Sequence, residues 1–271
     1  MRKLIGFEFE FGAKKDVDHS RIIGRSLGRD DKKLVVEWED YESLDMEFNF
    51  EEWEVRSAPM AKTRGLKFLK NFLKPLQNRQ KFNTNSSCGL HIGMSLPTPE
   101  QTLAVDPLDL MMLFDDEKWL KVFDREKSEV AMPHFAPCLR RHQSTTWGSF
   151  KRKRRRLSSV EDFKRLVKIH PQKYSSVNFT KVAEYVKHSN SWLYEDFEEE
   201  NGYKLKPYWE IRIAGGEDYQ FHYSNIARMI QEFSQAVDKV IAGVSNREIN
   251  NRVRKLLNEN CKEWKTPVVP H

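Results

Sequence analysis

The chain has 271 residues, 39% of them hydrophobic, with 17 Phe and 7 Trp, which excludes a disordered polypeptide and permits an ample core. Its 46 Lys and Arg against 40 Asp and Glu leave a formal charge of +6, a moderately basic balance that does not by itself mark a nucleic-acid binder. No apolar run approaches the length of a membrane span, and Cys88, Cys138 and Cys261 have neither disulfide-framework nor zinc-site spacing, so a reducing cytoplasm is the expected compartment.

Arg2 and Lys3 lead directly into Gly6-Phe7-Glu8-Phe9-Glu10-Phe11-Gly12, unlike a signal peptide. Period-two alternation makes this stretch a strand, with Glu8 and Glu10 on one face and Phe7, Phe9 and Phe11 on the other. Residues 13–33, charged and punctuated by Gly24 and Gly28, read as a connection containing one short helix. Strands are expected over 33–39 and 44–50, joined by a turn at Asp40-Tyr41-Glu42-Ser43. The second of these sets Asp45, Glu47 and Asn49 against Met46, Phe48 and Phe50. Trp53-Glu54-Val55-Arg56-Ser57 then alternates Glu54 and Arg56 against Trp53 and Val55, and Pro59 closes it. A helix follows, with Leu66, Leu69 and Leu73 on one stripe and Phe68 and Phe72 beside it, ending near Pro75.

The polar, turn-rich stretch 82–89 approaches a strand, Leu90-His91-Ile92-Gly93-Met94, in which His91 faces away from Leu90, Ile92 and Met94. Residues 106–126 have the pattern of one amphipathic helix carrying Leu110, Leu113, Phe114, Leu120 and Phe123. Between 140 and 156 lie eight Lys and Arg, six of them consecutive at Lys151–Arg156, and such a run of repelling cations reads as a basic loop, about 138–158, open to a polyanion or nucleic acid. A helix start at Ser159-Val160-Glu161-Asp162 follows it. Lys173–Thr180 is expected as a fifth strand, with Ser176, Asn178 and Thr180 opposite Val177 and Phe179. Tyr208–Ile213 sets Glu210 and Arg212 against Trp209, Ile211 and Ile213 and stops at Gly215-Gly216. Two C-terminal helices, within about 222–260, carry Ile226 to Val244 and Ile249 to Leu257. With no repeat and no linker, one domain over 1–271 is the expectation.

Four strands with apolar backs thus carry carboxylates, an imidazole and guanidinium groups at the same parity. On one shared sheet these would line a charged concavity. Four crowded carboxylates raise one another's pKa, and a hard cation such as Mg²⁺, which takes oxygen ligands and keeps waters for phosphates, would relieve that repulsion. Arg56 and Arg212, each two residues beyond a glutamate, suit bidentate grip on phosphate. The pattern points to Mg²⁺–nucleotide chemistry.

The ordered set Gly-Phe-Glu-Phe-Glu-Phe-Gly at 6–12, Glu-Val-Arg-Ser-Ala-Pro-Met at 54–60, Ser-Cys-Gly-Leu-His-Ile at 87–92, Lys-Tyr-Ser-Ser-Val-Asn at 173–178 and Trp-Glu-Ile-Arg-Ile-Ala-Gly-Gly at 209–216 resembles the motifs of the amidoligases. These are carboxylate–amine ligases, grouped with glutamate–cysteine ligase and glutamine synthetase. The resemblance runs from residue 4 to about 217, with Ala58 and Gly93 standing where that family has a second proline and a second histidine. It implies an α+β fold: a curved, mainly antiparallel sheet with a concave active-site face and helices packed on the outer side. It further implies ATP and two Mg²⁺ ions, one held by Glu8, His91 and Glu210 and the other by Glu10 and Glu54. Arg212 would contact the ATP phosphates, and Asn178 and Tyr174 would line the nucleotide or substrate site. Glu8, Glu10, Glu210 and Arg212 would then serve catalysis, and Arg56 would join the nucleotide contacts.

The implied activity is ATP-dependent amide formation between a carboxylate and an amine through an acyl phosphate. Two alternatives stay open: a metal-dependent nuclease or phosphotransferase using the same carboxylates, and a non-catalytic nucleic-acid-binding protein using residues 140–156. Cys88 reads as a small buried filler before a glycine turn rather than a nucleophile.

Overall fold

The computed structural model describes residues 1–40, 49–126, 128, 131, 175–189, 206–243, 248 and 251, and the structural statements below refer to these. The first element, β1 (Leu4–Lys14), is the axis of the molecule. Its eleven residues alternate as their sequence requires, and Phe7, Phe9 and Phe11 are buried. Helix α1 (His19–Lys32) is longer than a short connecting helix because Asp18 caps it, its carboxylate accepting from the Arg21 amide, and because Gly28 adopts φ 76° and lets the helical path kink rather than end.

The sheet continues with β2 (Val35–Asp40), β3 (Phe50–Ser57), β4 (Met60–Ala61), β5 (Phe82–Asn83), β6 (Leu90–Ser95), β7 (Val177–Asn178) and β8 (Trp209–Ile211). Its order is β2-β3-β1-β6-β8-β7, with β4 and β5 also paired to β1, and every described pairing is antiparallel. The strand expected over 44–50 lies outside the described residues apart from Asn49 and Phe50, and Phe50 already belongs to β3.

Helix α2 (Lys62–Leu76) buries Phe68, Leu69, Phe72 and Leu73, as expected, whereas Leu66 of the expected stripe is only half-buried. The Phe72 ring stacks on Phe9 with centroids 3.8 Å apart, and Phe68 stacks on Phe7 at 6.2 Å. The apolar face of β1 is therefore covered by α2.

After a short α3 (Pro99–Leu103), two helices, α4 (Pro107–Leu113) and α5 (Asp116–Val122), replace the single helix expected over 106–126. The break has a local cause. Phe114 is extended, at φ −96° and ψ 118°, and the Asp115 carboxylate caps α5 by accepting from the Lys118 amide. The expected strand at 173–180 is likewise only two residues long, because the Asn178 side chain accepts from both the amide and the hydroxyl of Thr180 and starts α6 (Thr180–Ser189).

Helix α7 (Tyr223–Ala242) realises the first of the two expected C-terminal helices; Phe233 packs edge-on against Phe114 and beside Trp209. The second C-terminal helix, the basic loop at 138–158 and the helix start at Ser159 lie outside the described residues. No described helix is long and apolar enough to cross a membrane.

Candidate functional site

Strand register brings the polar residues together. Glu8 stands opposite Arg56 on β3 and opposite His91 on β6, and Glu10 stands opposite Glu54. Gly93, two residues beyond His91, pairs with Glu210, which in turn pairs with Asn178. Residues opposite one another in an antiparallel ladder share a face, so five strands contribute to one polar surface whose reverse side is the phenylalanine core. Eight of the nine site residues expected from sequence are described: Glu8, Glu10, Glu54, Arg56, His91, Asn178, Glu210 and Arg212. Tyr174 lies outside the described residues.

The contacts within the group are close. Nδ1 of His91 lies 2.5 Å from Oε1 of Glu8, and Nε of Arg56 donates to the other Glu8 oxygen at 3.2 Å. Arg56 also pairs with Glu54 and lies 3.6 Å from Glu39, an acidic neighbour that sequence reading missed. Asn178 Nδ2 donates to Glu210 at 2.6 Å, and Arg212 Nη1 donates to the same oxygen at 3.3 Å. His91 is the hub. Its Nε2 is 3.9 Å from Glu10 and its Nδ1 4.0 Å from Glu210.

Charge is unevenly compensated across this surface. Burial pulls the Glu8 carboxyl upward, but the hydrogen bond and charge of His91, then those of Arg56, outweigh it and hold the group down at about 2. Glu54 goes the other way. Burial, then the nearby Glu8 charge, outweigh the attraction of Arg56 and push its carboxyl up to about 7. One end of the surface is thus a satisfied ion pair and the other is short of positive charge.

Glu8, Glu10 and His91 offer ligand atoms within 4.8 Å of one another, a grouping able to hold a cation. With Nδ1 of His91 engaged by Glu8, Nε2 is the ring nitrogen that faces Glu10. The chain keeps this space clear: a Cβ on Gly89 would lie 2.6 Å from His91 Nε2 and 2.7 Å from a Glu10 oxygen. Two carboxylate oxygens and one imidazole nitrogen fit a hard or borderline divalent ion. Glu54 and Glu210 flank the trio rather than belong to it.

Several supporting groups come from outside the alternating strands, Gly89 and Gly215 within the motif stretches 87–92 and 209–216, Arg125 and Tyr219 within neither. The Gly89 amide donates to Glu10 at 2.5 Å, and Tyr219 donates its hydroxyl to the Glu10 carbonyl at 3.0 Å. Arg125, buried, donates to the Ala214 carbonyl at 3.2 Å, and its charge acts on both Glu10 and Arg212. Gly215 makes room for it at φ 136°, since a Cβ there would lie 2.2 Å from the Arg125 guanidinium and 2.9 Å from the Cys88 carbonyl. Cys88 is fully buried, and burial pushes its thiol up to about 12, which suits a filler and not a nucleophile.

No family model matches the chain, and no curated protein does. Among solved structures, a cryo-EM structure of Plasmodium falciparum glutamine synthetase aligns with a TM-score of 0.38 and 12% identity, over 88% of this chain and 52% of that one. The chain spans about half the length of that protein. Likeness this slight decides neither fold nor activity. The residues themselves must carry the functional reading.

Proposed function

We propose that the chain is an ATP-dependent carboxylate–amine ligase of amidoligase type. The observation that supports it is the convergence of Glu8, Glu10, Glu54, Glu210, His91, Arg56 and Arg212 on one face of a sheet whose other face is core. On this reading the polar face is concave, the chain forms one catalytic domain, and two Mg²⁺ ions are shared among Glu8, Glu10, Glu54, His91 and Glu210, one of them at the Glu8–Glu10–His91 trio. Bound Mg²⁺ would supply positive charge to the β- and γ-phosphates during phosphoryl transfer.

The reaction runs in two steps. A carboxylate oxygen of the acid attacks the γ-phosphorus of ATP, and ADP leaves. The amine nitrogen then attacks the acyl carbon, phosphate leaves, and the nitrogen loses a proton. Arg212, held against Glu210 and by its amide to the Ser176 carbonyl at 2.9 Å, faces the phosphates with a fixed guanidinium. Asn178 orients Glu210 by its hydrogen bond, and Arg56 pairs with both Glu8 and Glu54 before substrate arrives. Charge arranged in advance is the main catalytic device.

Thermal unfolding with Mg²⁺, ATP and both, for wild type and Glu8→Gln, tests this without knowledge of either co-substrate. At a hundredfold excess over Kd, Mg²⁺-ATP raises wild-type stability by about 2.7 kcal/mol, a rise of roughly 5–10 °C that the variant loses. ATP turnover falls below a hundredth in Glu210→Gln and Arg212→Ala, and hydroxylamine traps the acyl phosphate from wild type. A rise with metal alone favours the metal-dependent phosphotransferase or nuclease. Near-full turnover in either variant overturns the assignment.

A further inference from the structure

A cavity of about 280 Å³ opens directly beside the cluster, with Glu8, His91 and Glu210 at one end. Its floor is built from absences. Gly6 on β1 pairs with Gly93 on β6, two residues along each strand from Glu8 and His91 and on the same face. Neither carries a side chain, so the strand surface drops away where the charged cluster stops. The walls are Pro59, Leu96, Pro97, Pro99 and the ring of Tyr208, which lies 3.2 Å from where a Gly93 Cβ would stand. Arg56 and Lys206 add positive charge to the lining.

Four hydroxyl-bearing residues line the cavity, Ser57, Ser95, Thr102 and Tyr208, and the fold engages the first and third. Ser57 Oγ accepts from the Phe7 amide at 2.9 Å. Thr102 Oγ1 accepts from the Leu96 amide at 3.0 Å and donates to the Thr98 carbonyl at 3.3 Å. Away from the cluster the walls are mostly apolar, built from Leu4, Pro59, Leu96, Pro97, Pro99 and Pro207, and offer an occupant chiefly shape and apolar contact. A polar amino acid or a purine edge would lose its water there and gain little in exchange.

We propose that this cavity seats the acid to be activated, and that the acid has an apolar body: an aliphatic or arylalkyl carboxylate with its head at the Glu8–His91–Glu210 end and its chain over Gly6 and Gly93. The inference rests on the ligase reading for the fate of the carboxylate. It goes beyond that reading by naming the substrate class.

The test is a homologous series of straight-chain acids from propanoate to octanoate, with glutamate as the polar competitor and adenosine as the base competitor. Binding to the full chain is measured calorimetrically with Mg²⁺ and a non-hydrolysable ATP analogue present, and again without nucleotide. Affinity rises about three- to fourfold per methylene until the cavity is full, the increment expected of buried methylene groups. Gly6→Val fills the floor and flattens the series while the Mg²⁺-ATP thermal shift stays. Tyr208→Ala removes a wall and moves the optimum to a longer acid, which separates occupancy from misfolding.

A flat series, tighter binding of glutamate than of hexanoate, or displacement of octanoate by adenosine overturns the proposal. The thermal shift is read independently. If it persists while the acids fail, the apolar-acid inference falls and the ligase reading stands. If the series holds while Mg²⁺-ATP has no effect, the cavity assignment stands and the ligase reading falls.

Discussion

Two glutamates less than a strand apart show how strongly position controls a carboxyl group. Glu8 and Glu54 sit on the same face of neighbouring strands, yet one is held at about 2 and the other pushed to about 7. Their effects on stability have opposite signs. A depressed carboxyl such as Glu8 stabilises the fold above its ordinary pKa of 4.5, and that contribution is lost as pH falls toward 2. A raised carboxyl such as Glu54 binds more protons folded than unfolded, so stability declines as pH rises from 4.5 to 7. In metal-free protein at pH 8, Glu54→Gln is therefore expected to raise the unfolding midpoint by several degrees, on the order of 2 kcal/mol. The gain shrinks below pH 7 and is gone near pH 4.5; Glu8→Gln instead weakens the fold above 4.5. Calorimetric melts across pH 3–8 after chelator treatment check both signs. Equal midpoints for wild type and Glu54→Gln at pH 8 would show that Arg56 compensates Glu54 fully.

At the scale of elements, the sheet separates stability from chemistry. Phe72 on α2 is fully buried and stacked on Phe9, behind the strand that presents Glu8 and Glu10. Phe72→Ala removes that stack and leaves a void, at a cost of about 3–5 kcal/mol. Its Mg²⁺-ATP affinity at 10 °C is expected within twofold of wild type, because the ring packs with Phe9, Phe11 and Phe68 on the apolar side of β1. A denaturant titration paired with a binding isotherm measures both; a tenfold loss of affinity would mean that the two faces are mechanically coupled.

The same separation explains what could be read from residues alone. Period-two alternation is imposed by the pleat, so the parity of Glu8, Glu10, Glu54, Arg56, His91, Glu210 and Arg212 was legible from sequence spacing. Register is not local. That Glu8 lies between Arg56 and His91 depends on strands far apart in the chain. The break at Phe114 and Asp115 was hidden because the apolar pattern of α4 and α5 runs in phase across it, and only the Asp115 cap decides the outcome. Arg125 and Tyr219 had no signal, and the 87–92 motif marked Gly89 without showing that its amide would bond Glu10. Gly89 and Tyr219, the latter in a 3₁₀ turn, bond Glu10 or its backbone, and Arg125 acts on it through charge, all only once the strands are paired.

For the molecule as a whole, the site ties the first strand to one near residue 210. β1 is hydrogen-bonded to β3, β4, β5 and β6, whereas β8 is three residues long and held by β6 and the two-residue β7. Opening free energies follow such differences in local support, so the amides of Trp209–Ile211 are expected to exchange with solvent faster than those of Phe7–Glu10 in ligand-free protein. A ligand gripped by Glu8, Glu10, Glu210 and Arg212 together binds only when β8 is in place. Mg²⁺-ATP should therefore slow exchange at 209–211 by at least about tenfold, which corresponds to about 1.4 kcal/mol, and leave the α2 amides within about twofold. Hydrogen-exchange mass spectrometry resolves peptides of this size. Slowing confined to β1 and β3 would mean that the nucleotide is held without the Glu210 strand, and Arg212 would lose its role at the phosphates.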